Sequence, residues 1–158
     1  MGDYKALFGA AKKESELADH LLYVTFLLVK ENKFLLPILE HITNAAQKTL
    51  QALIEHEYTY KRISLCPTNF AVQISLYREQ IEKTHALDPI FFRLLKKLIE
   101  IQRFEKDAIV RFKRGDKYIL ATGEYSQMTV LDVENIKKFL NCTKKFIEKA
   151  EPIVMKDD

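Results

Sequence analysis

Two cysteines, four glycines, four prolines and no tryptophan in 158 residues exclude several classes of protein at once. Cys66 and Cys142 stand far apart and in no ligand spacing. That rules against a disulfide framework, and against a zinc site, which needs about four clustered ligands. They read as reduced thiols, and the chain with them as cytoplasmic. His20, His41, His56 and His85 are scattered, so no metal is predicted. No P-loop, Gly-rich dinucleotide turn, nucleophile elbow or HExxH occurs, so no cofactor is predicted either. The longest apolar run, Leu21–Val29, is nine residues. A membrane span needs about 20, so no membrane partner is expected. The N-terminal stretch lacks the apolar core of a signal peptide. Scarce glycine and proline predict long, unbroken elements.

What is present is helical periodicity. Leu17, Leu21, Val24 and Leu28 recur at three and four residues, with Leu22, Phe26 and Val29 alongside. This predicts a first helix, starting as early as Tyr4, with a wide apolar face at the centre of a bundle. After a hinge at Lys30–Lys33, the residues Leu35, Leu39, Ile42, Ala46, Thr49 and Leu53 carry a second helix to about Tyr60. Small Ala45 and Ala46 leave room for a close neighbour. Pro67 stops that run, and Thr68 or Asn69 caps a third helix edged by Phe70, Ile74, Tyr77 and Ile81. Asp88-Pro89 places a cap and an N1 proline before a fourth helix, Ile90 to about Phe112. Thr129 opens a fifth, with Val133, Ile136, Leu140, Thr143, Ile147 and Ala150 inward, and a frayed tail at 151–158. The expectation is a single-domain, all-α antiparallel bundle of four to five helices. A short irregular or β insertion falls near 115–128.

Charge is unevenly placed. Residues 1–88 hold 10 basic and 11 acidic groups, whereas residues 89–150 hold 14 basic and 8 acidic, net +6. The basic groups cluster as Arg93, Lys96 and Lys97, then Arg111, Lys113, Arg114 and Lys117, then Lys137, Lys138, Lys144 and Lys145. Such a face suits phosphates, with Tyr118 and Tyr125 available to stack on unpaired bases. It equally suits an acidic protein.

The stretch "YREQIEKTHALDP" sets Arg78 seven residues before His85, nearly two helical turns, so both fit one face. An arginine that holds a phosphate beside a histidine that moves a proton is a metal-independent nuclease pair. These residues resemble the Arg-x(4–6)-His motif of HEPN domains, small helical bundles that include ribonucleases and noncatalytic relatives. The resemblance implies catalysis by Arg78 and His85. It departs from the family at Glu79, where an Asn or Asp usually follows the arginine and where a carboxylate opposes a phosphate. The plainer reading pairs Arg78 with Glu82 and sets His85 at a helix C-terminus, where positive charge suits the dipole. Separately, Ala18–Ile42 and Arg111–Leu131 resemble a family of small helical archaeal proteins without assigned activity. Three functions are expected, in order: a noncatalytic module binding RNA or an acidic protein, a HEPN-type ribonuclease, and a homo-oligomer formed through spare apolar surface on the first two helices.

Overall fold

The computed structural model describes residues 3–31, 34–107, 110–114, 117–121 and 128–156, with backbone alone at 107, 110–114, 118, 128 and 129. The elements in order are α1 (Tyr4–His20), α2 (Phe26–Val29), α3 (Leu35–Thr59), α4 (Phe70–Leu76), α5 (Glu82–Thr84), α6 (Pro89–Asp107), β1 (Val110–Arg114), β2 (Lys117–Ala121), β3 (Met128–Leu131) and α7 (Val133–Val154). A π turn, Leu21–Thr25, joins α1 to α2, and another, Tyr77–Ile81, joins α4 to α5. Seven helical stretches thus make five rods, an all-α bundle carrying one small sheet. No described helix is long and apolar enough to cross a membrane.

Caps explain the boundaries. Asp3 accepts from the Ala6 N–H, Asn69 from that of Val72, and Asp88 from that of Ile90. Each satisfies an N–H that the first turn leaves without an intrahelical partner. At the far end of α3, Arg62 N–H reaches the Glu57 carbonyl at 2.9 Å and Lys61 N–H that of Tyr58 at 3.0 Å. Leu87 and Ala86 repeat this after α5, on the carbonyls of Glu82 and Lys83. Both are Schellman endings, whose C′ residue is left-handed and usually glycine. Here Lys61 (φ 59°) and Ala86 (φ 51°) occupy it.

The central rod is α3. Leu35, Leu39, Ile42, Ala46, Thr49 and Leu53 are all buried, as their spacing predicts, and Ile38, Ala45, Leu50, Ala52 and Ile54 are buried too. Apolar burial on more than one face fits a helix surrounded by α1, α4, α6 and α7. Ala11, Ala18, Ala45 and Ala46 are fully buried, small side chains that let α1 approach α3 closely. The first rod differs from its expected central place. Its buried stripe is Phe8, Ala11, Ser15, Ala18, Leu22 and Phe26, whereas Leu17, Val24, Leu28 and Val29 face outward. It packs on α3 and α7 along its inner side, which leaves the outward apolar residues exposed.

Two boundaries also move. The fourth helix stops at Asp107 rather than near Phe112, because Val110 and Phe112 alternate with Arg111 and Lys113 at the period of a strand. The sheet is therefore larger than the expected insertion, spanning 110–131 as an antiparallel β1-β2-β3 meander. Phe112 pairs with Ile119, and Leu120 with Thr129. Leu120 and Leu131 join the main core. The last helix opens at Asp132, whose carboxylate accepts from Asn135 N–H at 2.8 Å, and Thr129 lies in β3 instead. At the other end α7 runs on to Val154, which is fully buried. Val154 continues the inward row Ile136–Leu140–Thr143–Ile147–Ala150 by one more turn, so 151–154 do not fray.

Candidate functional site

Arg78 and His85 lie on one continuous helical stretch, yet each has its own carboxylate. Arg78 sits in the π turn. Its Nη1 donates to both oxygens of Glu82 at 3.1 and 3.2 Å, and its guanidinium lies 4.4 Å from the centre of the Phe92 ring. A π turn holds one more residue than an α turn, so the helix beyond it is rotated by up to about 100°. His85 lies past the end of α5, where its Nε2–H donates to Glu57 Oε1 at 2.7 Å. Both plainer readings of this pair, the Arg78–Glu82 bridge and the helix-end histidine, are present.

Glu57 is the less expected member. It stands in the last turns of α3 with only 2% of its side chain exposed. Its Oε1 also accepts from His56 Nδ1 at 3.2 Å and Arg62 Nη1 at 3.1 Å. The buried row of α3 thus ends in a polar pair, His56-Glu57, rather than in more hydrocarbon. Tyr4 meets the His56 ring edge-on at 5.2 Å between centres, and Tyr60 lies 4.7 Å away. Burial lowers the His56 pKa, with the Glu57 hydrogen bond opposing. Nearby, burial raises the Glu55 carboxyl, one of whose oxygens has no hydrogen-bond partner among the described residues. Sequence spacing alone carried one signal of this cluster: His56 and Glu57 continue the inward row three and four residues after Leu53. Nothing local marked His85 as their partner.

On the other side of His85 lies an open groove of about 770 Å³ between the α5–α6 turn and the C-terminal part of α7. Leu87, Pro89, Ile90, Phe91 and Ile153 supply apolar walls, and Lys145 and Lys149 stand along the α7 side. Both lysines are exposed, and neither is in an ion pair with a described residue. Asp88, the one carboxylate among the described residues lining the groove, caps α6. Cys142, three residues before Lys145 on α7, is partly buried against the core. Burial pushes its thiol up, Lys145 pulls it back, Asp88 adds to burial and Arg93 opposes. Arg93 is exposed on α6.

The other basic candidates are distributed differently. Lys96 and Lys97 are exposed on α6 and Lys138 on α7. Lys96 lines a separate small pocket with Arg103, Phe92 and Ile74. Lys144 pairs with Asp19 and Lys137 with Glu134. Lys117 is exposed at the start of β2. Arg111, Lys113 and Arg114 belong to β1 and Tyr118 to β2, with side chains outside the described set, and Tyr125 lies outside the described residues altogether. Among the described residues no cluster of three or more His, Cys, Asp and Glu side chains is placed to hold a metal ion. Comparison with protein-family models, with curated proteins and with solved structures finds no match for this chain.

Proposed function

We propose that this protein is a noncatalytic binding module that takes an acidic protein segment in the groove between the α5–α6 turn and α7. The observation that carries this reading is the pairing of Lys145 and Lys149, free of described carboxylates, with an apolar wall that includes the half-exposed Ile90. A partner presenting apolar side chains between carboxylates satisfies both surfaces. A bare phosphate backbone satisfies only the lysines. The engagement of Arg78 by Glu82 and of His85 by Glu57 supports a structural rather than a catalytic use of that pair.

RNA is the second reading. It draws on exposed Arg93, Lys96 and Lys97, none of which is in an ion pair with a described residue. One titration separates the two. A labelled acidic amphipathic peptide and a labelled mixed-sequence RNA are each titrated with the protein in EDTA over a salt series. Peptide binding that falls about tenfold or more in Lys145→Glu/Lys149→Glu, roughly 1.4 kcal/mol or more, is the expected result. Tight, steeply salt-dependent RNA binding without peptide binding transfers the assignment to RNA. RNA cleavage abolished by His85→Ala would establish the nuclease instead.

A further inference from the structure

The outward face of the first rod carries a second, independent surface. Leu17, Leu21, Val24 and Leu28 are spaced four, three and four residues apart. Leu21 is half-buried, while Leu17, Val24 and Leu28 are 43%, 45% and 82% exposed. Leu27, at 56%, and the partly exposed Tyr23 and Val29 widen the stripe. The opposite side of the same rod already packs on the bundle through Ala11, Ala18, Leu22 and Phe26. A rod needs one apolar stripe to dock, and this one has two.

We infer that the second stripe pairs two copies of this chain, antiparallel, about a two-fold axis passing between Leu21 and Val24. The four- and three-residue spacing is that of a helix-pairing seam, and the π turn Leu21–Thr25 winds its Val24–Leu28 half around the rod relative to its Leu17–Leu21 half, so the outward stripe rests on the exposures rather than on the spacing alone. Laid antiparallel on itself, it sets Leu17 against Leu28 of the other copy and Leu21 against Val24. Every layer is then apolar, and each contact is repeated by symmetry. The area suffices. The six exposed side chains offer roughly 500 Å², so a pair that covers all of them on both copies buries about 1,000 Å², where specific interfaces begin. The border is polar, as interface rims are. Lys144 bonds Asp19, and the ammonium groups of Lys137 and Lys144 lie 5.8 and 6.0 Å from the centre of the Tyr23 ring. The basic groove on α7 is not needed for this pairing.

Sedimentation equilibrium of the full chain over a wide concentration range tests it. The expected result is a reversible monomer–dimer equilibrium that Leu28→Glu weakens at least about tenfold, since the substitution seats a carboxylate among leucines. The thermal melt of the Leu28→Glu monomer should match that of wild-type monomer, because the side chain supports no intramolecular packing. Register is read by oxidation in a Cys66→Ser/Cys142→Ser background. Leu17→Cys mixed with Leu28→Cys should cross-link, and Leu17→Cys alone should not. A monomer at every concentration overturns the inference. So does a dimer indifferent to Leu28→Glu, or dominant self-linking of Leu17→Cys.

Discussion

Replacing Glu57 with alanine is the sharpest probe of the bundle. One buried carboxylate oxygen accepts three donors, and their exposures set their worth. His85 donates at 2.7 Å from a mostly buried position. A hydrogen bond to a charged group of that kind contributes about 1.5–3 kcal/mol. His56 is buried but farther, at 3.2 Å, and contributes about 1–1.5 kcal/mol on the same scale. Arg62 is almost half exposed, so solvent screening holds its share below about 1 kcal/mol. Glu57→Ala also strands the His56 donor in the interior. The total is about 3–5 kcal/mol, the range measured when one partner of a buried pair is removed. With a urea m-value near 2 kcal/mol/M, the unfolding midpoint drops by roughly 2 M at unchanged m. Arg62→Ala should lower it least and His85→Ala by an intermediate amount. The Glu57–His85 double-mutant cycle should return a coupling of about 1–3 kcal/mol. A loss below about 1 kcal/mol for Glu57→Ala, or additivity in that cycle, would refute a stabilising role for this carboxylate.

Two further outcomes are expected. Ala86→Gly should raise stability by about 0.5–1 kcal/mol, because a left-handed alanine costs roughly 1–2 kcal/mol and glycine returns only part of that through unfolded-state entropy; an unchanged or lower midpoint in urea contradicts the strain. His56 should give stability a pH slope. Its folded-state pKa lies below the ordinary 6.5 because burial disfavours the cation, so the unfolded chain takes up the proton first. Stability is therefore full above about pH 6.5 and falls as pH drops through the folded-state value. Urea midpoints measured from pH 8 to 5 should show that decline, and His56→Phe should lack part of it; identical slopes in both proteins would exclude His56 as the source.

How much of this was legible in the residues depends on whether the deciding interaction is local. Successive members of the buried row of α3, the Asp88 cap and the Arg78–Glu82 bridge each lie within four residues, and the sequence states them directly, while it leaves the third-helix cap between Thr68 and Asn69. Val110 and Phe112 satisfy both a helical seam through Ala108 and a strand alternation, and pairing with β2 decides between them. The first rod misled for a related reason. Periodicity reports that a stripe is apolar, not which of two stripes meets the bundle. The Glu57–His85 bond closes 28 positions of chain, and no pattern shorter than that distance announces it. The groove, too, joins the α5–α6 turn to the end of α7, elements separated by the entire sheet.

The meander between α6 and α7 has an odd number of strands, and this fixes how the two helices are tied. Three antiparallel strands carry the chain across the sheet and deliver it at the opposite end from where it entered. At about 3.3 Å per residue, a five-residue strand shifts the exit by roughly 16 Å along the strand direction. Its sideways shift is two strand spacings, roughly 10 Å. The sheet is thus a strut between the end of α6 and the start of α7, not a loop that returns to its root. Cutting it out and joining Asp107 to Asp132 leaves a gap that about six extended residues are needed to bridge. With fewer, the start of α7 cannot keep its present place relative to the end of α6.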